Sequence, residues 1–128
     1  MPASSRPESI TVALVEGDPE WTEQMSKDLT ENLGARVTVS PTCDLVHLNG
    51  KSPHVVVIGC GADPGFEWLR RVRQEHTDRK LPVIVAGDDE EDDQQIEASR
   101  AGANAYLDCN IHKDASFLEK LVYGLAHE

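Results

Sequence analysis

The chain is predicted to fold as a doubly wound α/β domain, a parallel sheet with helices on both faces. Three observations predict it. Short apolar runs rich in valine and isoleucine recur at 10–15, 36–40, 54–58, 81–86 and 105–107. Runs of that length and composition suit strands buried on both faces. Segments with helical periodicity separate them, and such alternation implies parallel strands joined by right-handed crossovers. The length, 128 residues, suits one domain with one core.

Each element has its own local reason. After the first strand, Asp18-Pro19 reads as an N-cap with proline at the first helical position. Trp21, Met25, Leu29 and Leu33 then recur every four residues as one apolar stripe, and Gly34 is placed to end that helix. The second strand follows at 36–40. A short, weakly patterned helix is expected over 42–48, before Asn49-Gly50. The third strand, 54–58, leads to a helix over 66–74 with Phe66, Leu69 and Val72 inward. The fourth strand, 81–86, is followed by a helix over 91–101 closed by Gly102. The last strand, 105–107, precedes a helix over 115–126 with Phe117, Leu118, Leu121, Val122 and Leu125 on one face. Residues 1–8 read as a flexible lead and 9–128 as the domain. In parallel sheets of this kind the functional loops lie beyond the carboxyl ends of the strands.

Composition excludes several classes of function. Formal net charge is −11, which disfavours direct nucleic-acid contact, because phosphates are met by Lys and Arg. No apolar run approaches the roughly 18 residues that a membrane span needs. Three cysteines, Cys43, Cys60 and Cys109, are odd in number and without metal spacing; they suit a reducing cytoplasm better than a disulfide framework. The five histidines show no metal spacing either.

The stretches "TVALVEGDPEW", "PHVVVIGC", "FEWLRRVR", "LPVIVAGDDEED" and "AGANAYLDCN" resemble, in order and spacing, the receiver domain of two-component response regulators. The resemblance covers Ile10 to the C-terminus. It implies a three-layer, flavodoxin-like fold with five parallel strands in the order 2-1-3-4-5. It also implies phosphoryl transfer from a phosphohistidine to an aspartate. That chemistry takes a nucleophilic carboxylate after the third strand, paired acids for Mg²⁺ after the first, a hydroxyl after the fourth and a lysine after the fifth. Metal and lysine neutralise the charge on the transferring group.

Carried onto this chain, all but one of those roles fall on residues that cannot perform them. The paired acids fall on Glu16 and Gly17, with Asp18 behind them as the expected helix cap. The acceptor falls on Gly59, the hydroxyl on Gly87 and the lysine on Cys109, with Asn110 in place of the usual proline. Together these losses imply a pseudo-receiver, a receiver scaffold used without aspartate phosphorylation. Tyr106 sits at the family's switch aromatic, which turns inward when the hydroxyl residue moves toward the phosphate. With Gly87 there, Tyr106 is expected to hold one orientation; it reads equally well as an ordinary packed strand residue.

Other features invite sharper readings. "GCGADPG" at 59–65 looks like a phosphate-binding loop, but a dinucleotide fingerprint belongs after the first strand of a larger domain. It reads better as a tight turn. Asp63 as a displaced acceptor lacks the groups that would neutralise its product. The six acids Asp88 to Asp93 suit a solvated turn and the first turn of a helix better than a cation site. Glu16, Asp18 and Asp88 remain weak metal candidates. Cys60 and Cys109 are conceivable as a redox pair, although inert thiols are commoner. Arg70, Arg71, Arg73, Arg79 and Lys80 form a basic cluster expected to be solvated.

The expected function is therefore a non-enzymatic, phosphorylation-independent signalling module of the cytoplasm, without cofactor or membrane contact. It would act through protein–protein contact on the face formed by the helix at 91–101, Tyr106 and the helix at 115–126, with Ile96 on that surface. The partner would be a separate protein, an attached output domain (a transcription regulator among the possibilities) or a second copy. The alternative is a sensor that binds a small anion or nucleotide in the vacated pocket.

Overall fold

The computed structural model describes residues 10–40, 53–59, 62, 66–75, 81–87, 93–108 and 116–126. Strand β1 (Thr11–Val15) leads to α1 (Pro19–Leu33) and β2 (Arg36–Ser40). Then come β3 (Val55–Gly59), α2 (Glu67–Glu75), β4 (Val83–Gly87), α3 (Asp93–Ala101), β5 (Ala105–Asp108) and α4 (Ser116–Ala126). The helix expected over 42–48 lies outside the described residues. All strand pairings are parallel, and the sheet order is β2-β1-β3-β4-β5. This is the order and architecture that the resemblance implies.

Alternation along the strands divides the core into two layers. On one face Val12, Leu14, Val55, Val57, Ile84, Ala86 and Leu107 meet Met25 and Leu29 of α1 and Leu118 and Val122 of α4. On the other, Val15, Val56, Ile58, Val83 and Val85 meet Trp68, Leu69 and Val72 of α2 and Ala98 and Ala101 of α3. The central strands are buried on both faces, which is why β3 and β4 read as continuous apolar runs rather than alternating ones.

The helix ends follow the predicted chemistry. Asp18, in extended backbone, caps α1 by accepting from the N–H groups of Glu20 at 3.1 Å and Trp21 at 3.4 Å. Gly34 takes the left-handed φ of 66° that closes the helix, and its N–H donates to Thr30 O at 3.1 Å. Phe66 is predicted as the first residue of the following helix, but it precedes α2 with a φ of 57°. Its ring is buried in the second core layer, so packing holds a backbone conformation that a bulky residue rarely adopts.

Strands β3, β4 and β5 each run one residue past the expected end, to Gly59, Gly87 and Asp108. Glycine reads as a turn signal in sequence. Here the ladder continues through it, because Gly59 stands opposite Ala86 and Gly87 opposite Asp108.

Arg73 also departs from expectation. It is half-buried rather than solvated. Its guanidinium donates from Nε to Gly102 O at 2.7 Å, from one terminal nitrogen to Leu81 O at 2.9 Å and from the other to Asn104 Oδ1 at 2.8 Å. Asn104 Oδ1 also accepts from Val83 N–H at 2.9 Å. One cation thus joins α2 to the starts of β4 and β5, with its planar fork matched to three acceptors. Arg70 and Arg71 are exposed as expected, while Arg79 and Lys80 lie outside the described residues.

Candidate functional site

Glu16, Gly59, Gly87 and Asp108 stand in a row at the carboxyl ends of β1, β3, β4 and β5. Register explains the central pair. Val15 stands opposite Ile58, so the next position on each strand sets Glu16 beside Gly59. Alternation puts both on the α1 and α4 side of the sheet, the side of Leu14 and Val57.

Glu16 does not point away from the sheet. Its Oε1 accepts from Gly17 N–H at 2.6 Å. The rest of the carboxylate lies over Gly59. A Cβ built on Gly59 would overlap Glu16 Oε2, with Glu16 Cδ at 2.6 Å and Cβ at 3.3 Å. The volume in which a side chain at 59 would begin is therefore filled by a side chain from the neighbouring strand. Gly59 is itself buried.

The resemblance implies Mg²⁺ here, held by paired acids; Glu16 supplies one carboxylate and Gly17 supplies none. Glu16 is folded onto Gly17 N–H, and Asp18 is engaged as the cap of α1. Among the described residues no three His, Cys, Asp or Glu side chains gather where an ion could sit. Asp88 lies outside the described residues. So do Cys43, Cys60, Cys109, Asn110 and Asp63, and with them the suggested thiol pair.

Gly87 is buried and ends β4 without a hydroxyl. One strand over, Tyr106 is half-buried against the second core layer, and its hydroxyl donates to Gln94 Oε1 of α3 at 3.2 Å. Ile96, two residues along the same helix, is 48% exposed, and Tyr123 on α4 is 55% exposed. These two apolar side chains stand on the helices that flank β5 on opposite faces of the sheet.

Sequence reasoning missed three relationships: the reach of Glu16 over Gly59, the Tyr106–Gln94 hydrogen bond and the Arg73 bracket. A signal existed for the first. A long acid on one strand faces a glycine at the same level of the next, and a glycine ending an otherwise all-apolar strand asks what occupies its side-chain space.

The fold defined by this topology is the flavodoxin-like, doubly wound class. Within it, the chain has the fold of response regulator receiver domains. It is similar to a response regulator from Thermotoga maritima, at 18% identity and a TM-score of 0.78 over 94% of this chain and 100% of that one. It is similar to the chemotaxis response regulator CheY4 of Vibrio cholerae, at 16% identity and 0.77 over 92% and 99%. A third neighbour is the receiver domain of a Pseudomonas aeruginosa sensor histidine kinase with magnesium coordinated in its active site cleft, at 18% and 0.76 over 94% and 100%. No family model and no curated protein matches the chain. Among the described residues no helix is long and apolar enough to cross a membrane.

Proposed function

We propose that the chain is a receiver-fold signalling module that works without aspartate phosphorylation, as a non-enzymatic protein–protein contact unit. The observation that carries this reading is Gly59. It ends β3 where the family's acceptor would stand, it has no side chain to phosphorylate, and its side-chain space is taken by Glu16. Gly87, without a hydroxyl, and Gly17, without the second acid of the magnesium pair, support the same reading. Phosphoryl transfer is catalysed almost wholly by positioning and charge neutralisation, so losing the acceptor, one of the paired acids, the hydroxyl and the lysine together removes the reaction.

The contact face proposed is α3, β5 and α4, through Ile96, Tyr106 and Tyr123. An attached output domain, a separate protein or a second copy would dock there. The second reading, a sensor for a small anion in the vacated pocket, is less well supported, because a carboxylate already fills the place and would repel a like charge. The test is incubation with acetyl phosphate and Mg²⁺ followed by intact mass. An unchanged mass is expected; a stable gain of about 80 Da, one phosphoryl group, would overturn the reading.

A further inference from the structure

Nothing in the backbone requires glycine at position 59. The glycines with positive φ among the described residues are Gly34 and Gly102, so Gly59 has a conformation open to any residue. Glycine weakens a strand interior, because it leaves a gap in packing and costs more entropy to order. The remainder of β3 is valine and isoleucine, all fully buried. What distinguishes Gly59 is its neighbour: the three heavy atoms nearest a Cβ there all belong to Glu16. The same side chain is anchored at its other oxygen by Gly17 N–H.

We infer that Glu16 is a built-in plug. The Glu16 carboxylate, directly after β1, occupies the volume an acceptor aspartate on β3 would fill, and Gly17 N–H hooks it in place. A side chain at 59 has to displace the Glu16 carboxylate, whereas the chain path itself sets no demand for glycine. The inference rests on the proposed reading of Gly59 as the acceptor position. It adds that the site is closed from within, so that losing the acceptor did not leave an open pocket.

The test is a cycle on the full chain: wild type, Gly59→Ala, Glu16→Ala and the double variant. Chemical denaturation and the Gly17 amide resonance are followed in each. A methyl at 59 has to expel the carboxylate and release the hook. Gly59→Ala is therefore expected to lower the folding constant roughly three- to tenfold beside Glu16, and to be close to neutral in Glu16→Ala. It should also move the Gly17 amide toward its position in Glu16→Ala. Glu16→Gln, which keeps the shape without the charge, should retain the full cost of Gly59→Ala. The inference is overturned if Gly59→Ala has the same effect with and without Glu16, or if Gly17 does not respond to Glu16→Ala. Either result leaves phosphorylation independence standing, since position 59 still carries no acceptor. An acetyl phosphate adduct defeats that reading whatever the cycle gives.

Discussion

Glu16 and Gly59 meet across the β1–β3 pair, the carboxylate of one lying where the other carries no side chain. One strand lends a side chain to the place its neighbour leaves vacant, and the carboxyl end of the sheet stays filled. The arrangement depends on register, on the extra methylene that glutamate has over aspartate, and on the absence of a Cβ at 59.

Restoring aspartate at 59 alone should fail structurally. In Gly59→Asp two carboxylates contend for one volume, with steric overlap and like-charge repulsion acting together. A loss of about 1–3 kcal/mol in unfolding free energy is expected, and Gly59→Asp combined with Glu16→Asp should recover part of it. Urea denaturation of the three proteins measures this.

Arg73 is expected to be worth more to stability than its place in a basic cluster suggests. Arg73→Ala leaves the carbonyls of Leu81 and Gly102 without a charged donor and should cost about 2–4 kcal/mol. Arg73→Lys should recover little, since an ammonium cannot reproduce the three-pronged geometry. Thermal unfolding of both variants tests it.

Gly102 is coupled to the same side chain. Its φ is 111°, and a Cβ there would fall 2.5 Å from Arg73 Cγ. Gly102→Ala should therefore cost about 1–3 kcal/mol through backbone strain and crowding together. Adding Arg73→Ala relieves only the crowding, so the double variant should be less destabilised than the sum of the two. Chemical denaturation of the single and double variants reads the difference.

Much of the fold was legible because its causes are local. Asp18-Pro19, the stripe from Trp21 to Leu33 and Gly34 each carry a backbone instruction that needs no distant partner. The relationships that stayed hidden are those in which a side chain crosses between elements. Arg73 follows an inward valine in a run of arginines, and nothing adjacent says that one of them faces two carbonyls and an amide contributed by residues 81, 102 and 104. Gly59 was readable as the acceptor position that the resemblance implies, but its place in the ladder and its occupant were not, because the first depends on pairing with Ala86 of β4 and the second on the reach of Glu16 from beside β1. The end of β4 was misplaced for the same reason, since a ladder partner at Asp108 outweighs the turn tendency of Gly87.

The proposed contact face makes a separate prediction. Ile96 is exposed, so Ile96→Glu should change folding stability by no more than about 0.5 kcal/mol. If this face docks a partner or a second copy, the same change should weaken association tenfold or more, because a charge would be buried against an apolar surface. Sedimentation velocity across a concentration series, with thermal unfolding as the control, separates the two effects.

The central claim is that this receiver fold operates without phosphorylation of an aspartate. It is tested most directly by titrating labelled protein with beryllofluoride and Mg²⁺ while following the amide resonances of Gly59, Gly87 and Tyr106. The expected result is that none of the three moves toward a saturating limit, with Tyr106 keeping the environment set by Gln94. Saturable shifts at Gly59 and Gly87 that carry Tyr106 with them would contradict the claim.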